Sequence, residues 1–250
     1  MKVLHVEAGR YLYGGARQVA YLLEGLGRHG VESVLVCPRG SAIAAEMRGR
    51  ISRVHEIPMG GDLDMGLIWR LKRIIQSERA DIVHLHSRRG ADLLGGLAAW
   101  LTGVKTVLSR RVDNPEAPLV ARWKYRLFDR VITISEGIRQ VLLSEGVDAH
   151  RLVCVRSAVS PEAYRTRCDR AWFERAFNLT GAETVIAVIA QLIPRKGHRF
   201  LLQALPGLLD DFSALHVIFF GQGPLEGQLR AQVCLLYTSP SPRDCGPDLV

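Results

Sequence analysis

The sequence lacks the features that define membrane-spanning, secreted and zinc-ribbon proteins. No stretch reaches the about eighteen consecutive apolar residues that a membrane span needs, and Met1–Gly9 lacks the long apolar core of a signal peptide. The five cysteines are odd in number and form no C-x-x-C pair, which argues against a disulfide framework and against a cysteine metal site. We therefore expect a cytoplasmic protein.

Two further absences narrow the range of ligands. The chain has no G-x-G-x-x-G motif, and its second predicted strand ends in Cys37-Pro38-Arg39 rather than in the acidic residue that would hold a ribose, so a nicotinamide-dependent oxidoreductase is disfavoured. The net charge is +8, but the basic residues form pairs rather than a long tract, which makes nucleic acid the weakest candidate partner. Phosphorylated small molecules and an anionic membrane surface remain.

Short β-branched runs alternate with amphipathic helical patterns from the first residue onward. This alternation predicts a parallel sheet covered on both faces by helices, that is, a doubly wound α/β domain. We place this first domain at residues 1–155, a polar linker at 156–180 and the beginning of a second Rossmann-like domain at 181–233. Strands are predicted at Lys2–Val6, Ser33–Val36, Val54–Ile57, Ile82–His86, Thr106–Ser109, Val131–Ile134, Leu152–Val155, Thr184–Ala190 and Leu215–Phe220.

The composition changes abruptly at Cys234. Pro240 and Pro242 cannot continue the helix that is predicted to begin at Leu225. Residues 234–250 resemble the translated adapter sequence found at the ends of some metagenomic reading frames, and we expect them to be a non-native tail. A natural terminus rich in proline and serine is the alternative.

Two predicted strand-to-helix turns in the first domain are candidate ligand-binding turns. Gly14 and Gly15 precede the first helix, where glycines allow a ligand to approach the backbone and the helix N-terminus offers unpaired N–H groups. Ser135 and Glu136 follow the sixth strand at another helix start. A plain tight turn would also explain the glycines, and helix capping alone would explain Ser135.

Histidines and arginines follow two neighbouring predicted strands. His86 ends the fourth strand, where open α/β sheets bind their ligands, and we expect it to hydrogen-bond a polar ligand. His84 lies two residues earlier and is expected to be packed or capping; the pair could ligate a metal, but no third ligand is near in sequence. The arginine side chains suit phosphates or carboxylates, with solvated surface charge as the alternative: Arg88, Arg89, Arg110 and Arg111.

The second predicted domain has two similar corners. Arg195 and Lys196 lie between a strand and a helix N-terminus, an arrangement that suits a diphosphate. Gly221 and Gly223 form a Gly-x-Gly turn after the next strand, followed by Pro224 at a helix start.

The order and spacing of these motifs over about residues 1–233 resemble the group 1 (family 4) glycosyltransferases of the GT-B fold. The matching motifs are Gly14-Gly15-Ala16, His84-Leu85-His86-Ser87, Thr133-Ile134-Ser135-Glu136, Arg195-Lys196-Gly197 and Gly221-Gln222-Gly223-Pro224. The segments that begin at His86 and Ser109 resemble bacterial members that build lipopolysaccharide or related envelope glycans.

The resemblance implies a retaining sugar transfer from a nucleotide diphosphate sugar as the donor substrate, with no required metal and no cofactor. Arg195 and Lys196 would hold the donor diphosphate and stabilise the leaving group, and His86 would contact the donor sugar. Gly14 and Gly15 would flank the phosphates and the acceptor. Gly221 and Gly223 would line the nucleotide pocket, and the acceptor would be an envelope glycan or a lipid-linked molecule.

The chain departs from the family pattern in two places. Arg156–Ser160 replaces the usual Pro-Asn-Gly-Val-Asp before the linker. The paired-glutamate motif of the second domain is missing, because glutamates eight positions apart occur only at Glu24 and Glu32. We therefore expect this chain to be inactive by itself, and a non-catalytic module that binds nucleotides or phosphates is the alternative function.

A basic and aromatic helical stretch, Ala121–Phe128, suggests contact with a membrane surface. Its cations Arg122, Lys124 and Arg126 would face anionic headgroups. A helix that packs its aromatic side chains inward is an equally good explanation. We accordingly expect a cytoplasmic enzyme that could lie peripherally on the inner face of the membrane.

Overall fold

The computed structural model describes residues 1–86 and 90–237. The chain divides into two compact units, Met1–Glu162 and a second unit that begins at Ala163. The predicted ligand-binding residues Arg88 and Arg89 lie outside the described residues, as do residues 238–250 of the predicted tail.

The first unit is built on a seven-stranded sheet with the order β3-β2-β1-β4-β5-β6-β7. Every neighbouring pair of strands is parallel, which confirms the predicted parallel, doubly wound α/β domain. The strand order reverses between β1 and β4, and that reversal defines the switch point where such sheets bind ligands. The strands are β1 (Lys2–Val6), β2 (Glu32–Pro38), β3 (Arg53–Ile57), β4 (Ile82–Leu85), β5 (Lys105–Arg110), β6 (Arg130–Thr133) and β7 (Leu152–Cys154).

Helices follow the strands and bury their apolar sides against the sheet. Because side chains alternate along a strand, Leu4 and Val83 belong to one core cluster, whereas Leu35 and Cys37 belong to another that includes Val19 and Leu23 of the first helix. The helices are α1 (Gly14–Arg28), α2 (Ala42–Met47), α3 (Gly66–Glu78), α4 (Ala91–Trp100), α5 (Pro118–Tyr125) and α6 (Glu136–Ser144). Of these, α2 was not predicted, because six residues are too few to show a helical period.

The second unit contains two parallel strands with helices. Its elements are α7 (Arg170–Ala176), β8 (Thr184–Ile189), α8 (His198–Asp211), β9 (Leu215–Phe220) and α9 (Glu226–Tyr237). Leu192, Leu202 and Leu229 form its buried core. Helix α9 extends beyond Val233 into the segment predicted to be a non-native tail. Within the described part of the chain, no helix is long and apolar enough to cross a membrane.

Helix α5 corrects part of the prediction for Ala121–Phe128. Tyr125 and Phe128 are buried, as the inward-packing alternative predicts, and Lys124 is buried as well. Lys124 Nζ lies 2.5 Å from Asp92 Oδ2 and 3.1 Å from Glu116 Oε1, so this cation is paired inside the protein and does not face a headgroup. The opposite side of the helix is different, because Leu119 and Trp123 are exposed together with the cations Arg122 and Arg126.

Candidate active site

Three histidines meet at the switch point of the first sheet. His5 of β1 is paired in register with His84 of β4, and His86 follows two residues later, so all three belong to the same side of the two strands. Their ring centroids are 3.9–5.5 Å apart, and all three side chains are buried. The sequence therefore places a cluster of imidazoles, rather than a single histidine, next to the predicted ligand edge.

Burial keeps these imidazoles neutral. It lowers the pKa of His5 to about 3. The pKa values of His84 and His86 also lie well below the ordinary histidine value, first because of burial and then because the neighbouring imidazoles and Arg111 repel a further positive charge. Each ring near neutral pH therefore carries one proton and offers one lone pair.

Arg111 connects the histidines to the glycine turn before α1. Its Nη1 donates to the Gly15 carbonyl at 2.9 Å, and its Nη2 lies 3.4 Å from Nδ1 of His86. The other ring nitrogen of His86, Nε2, is 3.0 Å from Nδ1 of His5. Both nitrogens of His86 therefore have protein partners, and a direct contact with a donor sugar would require one of these hydrogen bonds to open.

Arg110, the neighbouring predicted ligand-binding arginine, is part of a buried ion-pair cluster. Its side chain is 2% exposed, with Nη1 2.9 Å from Glu116 Oε1 and Nη2 2.5 Å from the Asn114 carbonyl. Lys124 joins the cluster through the same Glu116 carboxylate. Burial alone would raise the pKa of Glu116, but Lys124 and Arg110 outweigh it and hold that pKa below its ordinary value. The structure thus commits Arg110 to fold stability, and its predicted contact with a substrate stays a prediction.

Ser135 caps helix α6, as predicted. Its Oγ accepts a hydrogen bond from the Ile138 main-chain N–H at 3.2 Å. The exposed Glu136 accepts hydrogen bonds from Arg139 at 2.8 Å and Gln140 at 2.9 Å, which lower its pKa. The local contacts give both residues a role in the helix, and their predicted role in ligand binding stays a prediction.

Packing requires glycine in one of the two glycine motifs but not in the other. Apart from its chain neighbours and the backbone of its own helix, a Cβ atom at Gly14 or Gly15 would meet no heavy atom of the described residues within 4 Å, so packing against them does not demand glycine there. A Cβ atom at Gly221 would collide with the Ala190 carbonyl oxygen, and one at Gly223 would collide with the Leu192 carbonyl oxygen. The second motif is therefore required by close approach of two backbone segments, whereas the first leaves open space beside the start of α1.

The corner between β8 and α8 presents two cations. Arg195 and Lys196 lie in a short 3₁₀ helix, Pro194–Lys196, and both are exposed. Helix α8 begins directly afterwards with no side-chain cap. His198 in its first turn is 2% exposed, and neither of its ring nitrogens has a hydrogen-bond partner in the structure. An uncapped helix N-terminus beside two cations has the physical properties of an anion site.

Sequence reasoning missed His5. Its signal is long-range, because it depends on the pairing of β1 with β4, which joins positions far apart in the chain. The pairing follows from the doubly wound strand order, in which the first and fourth strands are neighbours at the switch point. A register drawn on that order would have placed His5 beside His84.

A model described as Glycosyltransferase Family 4 matches residues 13–163. No curated protein matches by sequence.

Solved structures match over nearly the whole chain. A glycosyltransferase from Rickettsia africae has a TM-score of 0.75 at 16% identity, with 94% of this chain and 65% of that chain covered. Alr3699/HepE from Anabaena, solved in complex with UDP, has a TM-score of 0.77 at 14% identity, with 94% and 66% covered. MurG from Acinetobacter baumannii has a TM-score of 0.57 at 15% identity, with 96% and 63% covered. The matches confirm the predicted GT-B-like α/β fold, and this chain spans about two thirds of each of those proteins.

Proposed function

This chain belongs to glycosyltransferase family 4, and from that membership we propose that the protein transfers a sugar from a nucleotide diphosphate sugar to an envelope glycan or a lipid-linked acceptor. In the proposed reaction, a hydroxyl oxygen of the acceptor bonds to the anomeric carbon while the bond from that carbon to the diphosphate breaks. The configuration at the anomeric carbon is retained. The leaving nucleoside diphosphate takes the electron pair of that bond, so negative charge develops on its phosphates, and the acceptor hydroxyl gives its proton to the departing phosphate oxygen.

The observation that carries this proposal is the corner formed by Arg195 and Lys196. Both cations are exposed next to the uncapped N-terminus of α8, so charge and helix dipole favour the same anion. Such an arrangement stabilises a leaving diphosphate more strongly than it stabilises the bound donor, because the charge grows in the transition state. The two side chains also supply positive charge that a divalent metal provides in other transferases, and we propose that the transfer needs no metal.

The first unit would supply the acceptor side of the reaction. Gly14 and Gly15 leave open space beside the N-terminus of α1, and Arg111 fixes the carbonyl of Gly15. We infer that acceptor or phosphate groups approach this backbone. Gly221 and Gly223 would bring the turn after β9 towards the nucleotide, a role compatible with their close packing on Ala190 and Leu192.

We further propose that residues 1–250 alone do not catalyse turnover. The second unit has no pair of glutamates eight positions apart, the motif that in the resembling family contacts the donor ribose and sugar. Without those contacts the donor would be held through its diphosphate only. Binding would then persist while transfer is lost, because the sugar would not be oriented for attack.

The test is a titration with UDP-sugars and GDP-sugars that also detects glycosylated product. It is run on residues 1–250 and on the complete gene product. We expect donor binding by residues 1–250 without product, and product formation by the complete gene product without added divalent metal. Binding without product in both would instead support a non-catalytic nucleotide-binding module, and turnover by residues 1–250 would contradict the proposed inactivity.

The outer side of α5 supports peripheral contact with an anionic membrane. Leu119 is 80% exposed and Trp123 is 54% exposed, and both lie on the same short helix as the exposed cation Arg122. Apolar side chains flanked by cations favour the boundary between headgroups and acyl chains. A membrane-bound protein would be held close to a lipid-linked acceptor.

A further inference from the structure

The buried histidines at the switch point have the residue types and spacing of a metal site. His5, His84 and His86 each offer one ring nitrogen, and these nitrogens lie within 4.8 Å of one another. In a tetrahedral zinc site with Zn–N bonds of ~2.0–2.1 Å, ligand nitrogens are separated by about 3.3 Å. Nδ1 of His5 and Nε2 of His86 are already 3.0 Å apart, so small shifts of the side chains would complete the site.

The hydrogen bonds around the cluster fix the position of each proton. Arg111 can only donate, so His86 accepts on Nδ1 and carries its proton on Nε2, which donates to Nδ1 of His5. His5 then carries its own proton on Nε2. That nitrogen is buried and has no hydrogen-bond partner among residues 1–86 and 90–237. A ligand bound to Nδ1 of His5 would leave this N–H unpaired, so the spacing of the three rings is the observation that favours a metal ion.

We propose that His5, His84 and His86 together bind a divalent transition-metal ion of the zinc class. Three neutral imidazoles suit zinc, and they leave a fourth position for water or another oxygen ligand. The ion would tie β1 to β4 and to His86, which follows it. It is a structural ion in this proposal, so it takes no part in the sugar transfer, but its bond to Nε2 of His86 excludes a contact between that nitrogen and the donor sugar.

The surrounding residues determine how the ion would be held. The Nε2 atom of His84 is 2.8 Å from Ser109 Oγ, which leaves Nδ1 for the metal and makes Ser109 the partner that orients the ring. The Nδ1 atom of His5 binds directly. His86 binds through Nε2 after its proton moves to Nδ1, so no proton leaves the site, but the contact from Arg111 to Nδ1 must open. Arg111 therefore competes with the metal.

The experiment uses tag-free residues 1–250 with the accessible thiols blocked, because the exposed Cys168 and Cys234 could also bind zinc. Cobalt is titrated as a spectroscopic substitute, and zinc affinity is measured by competition with a chromophoric chelator. We expect one ion per chain, an absorption spectrum of tetrahedral cobalt with nitrogen ligands, and a zinc Kd of about 1 µM or lower. If the thiol-blocked chain with the wild-type sequence does not bind one metal ion per chain, the proposal is overturned, whatever the variants do.

The variants locate the ion. His5→Ala and His86→Ala should weaken binding by more than the roughly 10–100-fold that loss of an outer partner costs, whereas Ser109→Ala should fall within that range. Arg111→Met should bind zinc more tightly than the wild type, because the competing contact with Nδ1 of His86 is gone. His150→Ala removes an exposed histidine outside the cluster and should change nothing. Folded His5 and His86 variants, as judged by circular dichroism, that bind zinc as tightly as the wild type would overturn the proposal.

Discussion

At the scale of single residues, basic side chains in this protein divide into two kinds that the sequence does not distinguish. Arg110 and Lys124 are buried and neutralised by Glu116 and Asp92, whereas Arg195 and Lys196 are exposed beside a helix N-terminus. Coulomb attraction across a buried pair is offset by the cost of removing both charges from water, so the intact pair adds little net stability. The loss of one partner, in contrast, strongly lowers the free energy of unfolding.

Lys124→Met tests the buried cluster. The change leaves Asp92 without its cation in a buried position, and we expect the first unit to lose about 3–5 kcal/mol of its free energy of unfolding. The measurement is chemical denaturation followed by tryptophan fluorescence in a Trp172→Phe background, in which all remaining tryptophans belong to the first unit.

Arg126→Met is the matched control for this prediction. Arg126 is exposed, and its replacement should change the free energy of unfolding by no more than about 0.5 kcal/mol. Equal effects of the two substitutions would show that the ion-pair cluster does not stabilise the unit.

At the scale of elements, the two glycine turns differ in how closely another backbone segment approaches them. Gly221→Ala should destabilise the second unit by at least about 1–3 kcal/mol, because the added methyl group meets the carbonyl of Ala190. Gly14→Ala should change stability by no more than about 1 kcal/mol, since its methyl group meets open space at the start of α1.

Amide hydrogen exchange measures this difference. In Gly221→Ala, amides of β8 and β9 should lose protection, while in Gly14→Ala those of β1 and α1 should keep it. Protection of β8 and β9 that is unchanged by Gly221→Ala would contradict the close approach of the two turns.

Helix α5 gives a second prediction at this scale. Trp123→Ala should weaken binding to anionic phospholipid vesicles by about tenfold, or ~1.4 kcal/mol, because the indole is the largest exposed apolar group on the helix. Trp69→Ala removes an equally exposed tryptophan from α3 and serves as the control. Vesicle flotation measures the affinity of both variants for the vesicles. If both substitutions weaken this affinity equally, α5 is not the element that contacts the membrane.

The elements were largely predictable from the sequence, and their tertiary contacts were not. Helical periods and β-branched runs are local, so the strands from β1 to β9 lie where the patterns predicted them, within one or two residues at each end. The burial of Lys124 depends on Asp92 and Glu116, which lie on other segments and leave no periodic signal near the helix. His5 was missed for the same reason, because its neighbours come from β4.

At the scale of the whole molecule, the chain combines two units with different contributions to the proposed reaction. The first has the complete seven-stranded sheet and a switch point lined by His5, His84 and His86. The second has the corner of Arg195 and Lys196 at the start of α8. The family match covers residues 13–163 and so ends before the corner of Arg195 and Lys196, whose binding to a diphosphate is therefore tested directly.

That test is the affinity of residues 1–250 for UDP and GDP, measured by isothermal titration calorimetry. Arg195→Ala and Lys196→Ala should each lower the affinity for the preferred nucleotide by at least about tenfold, the effect of losing a charge-assisted hydrogen bond of ~1.5–3 kcal/mol. Arg199→Ala removes an exposed arginine from α8, the helix that follows the two cations, and should leave the affinity unchanged. Nucleotide affinity that is the same in all three variants and the wild type would contradict the assignment of this corner to the donor diphosphate.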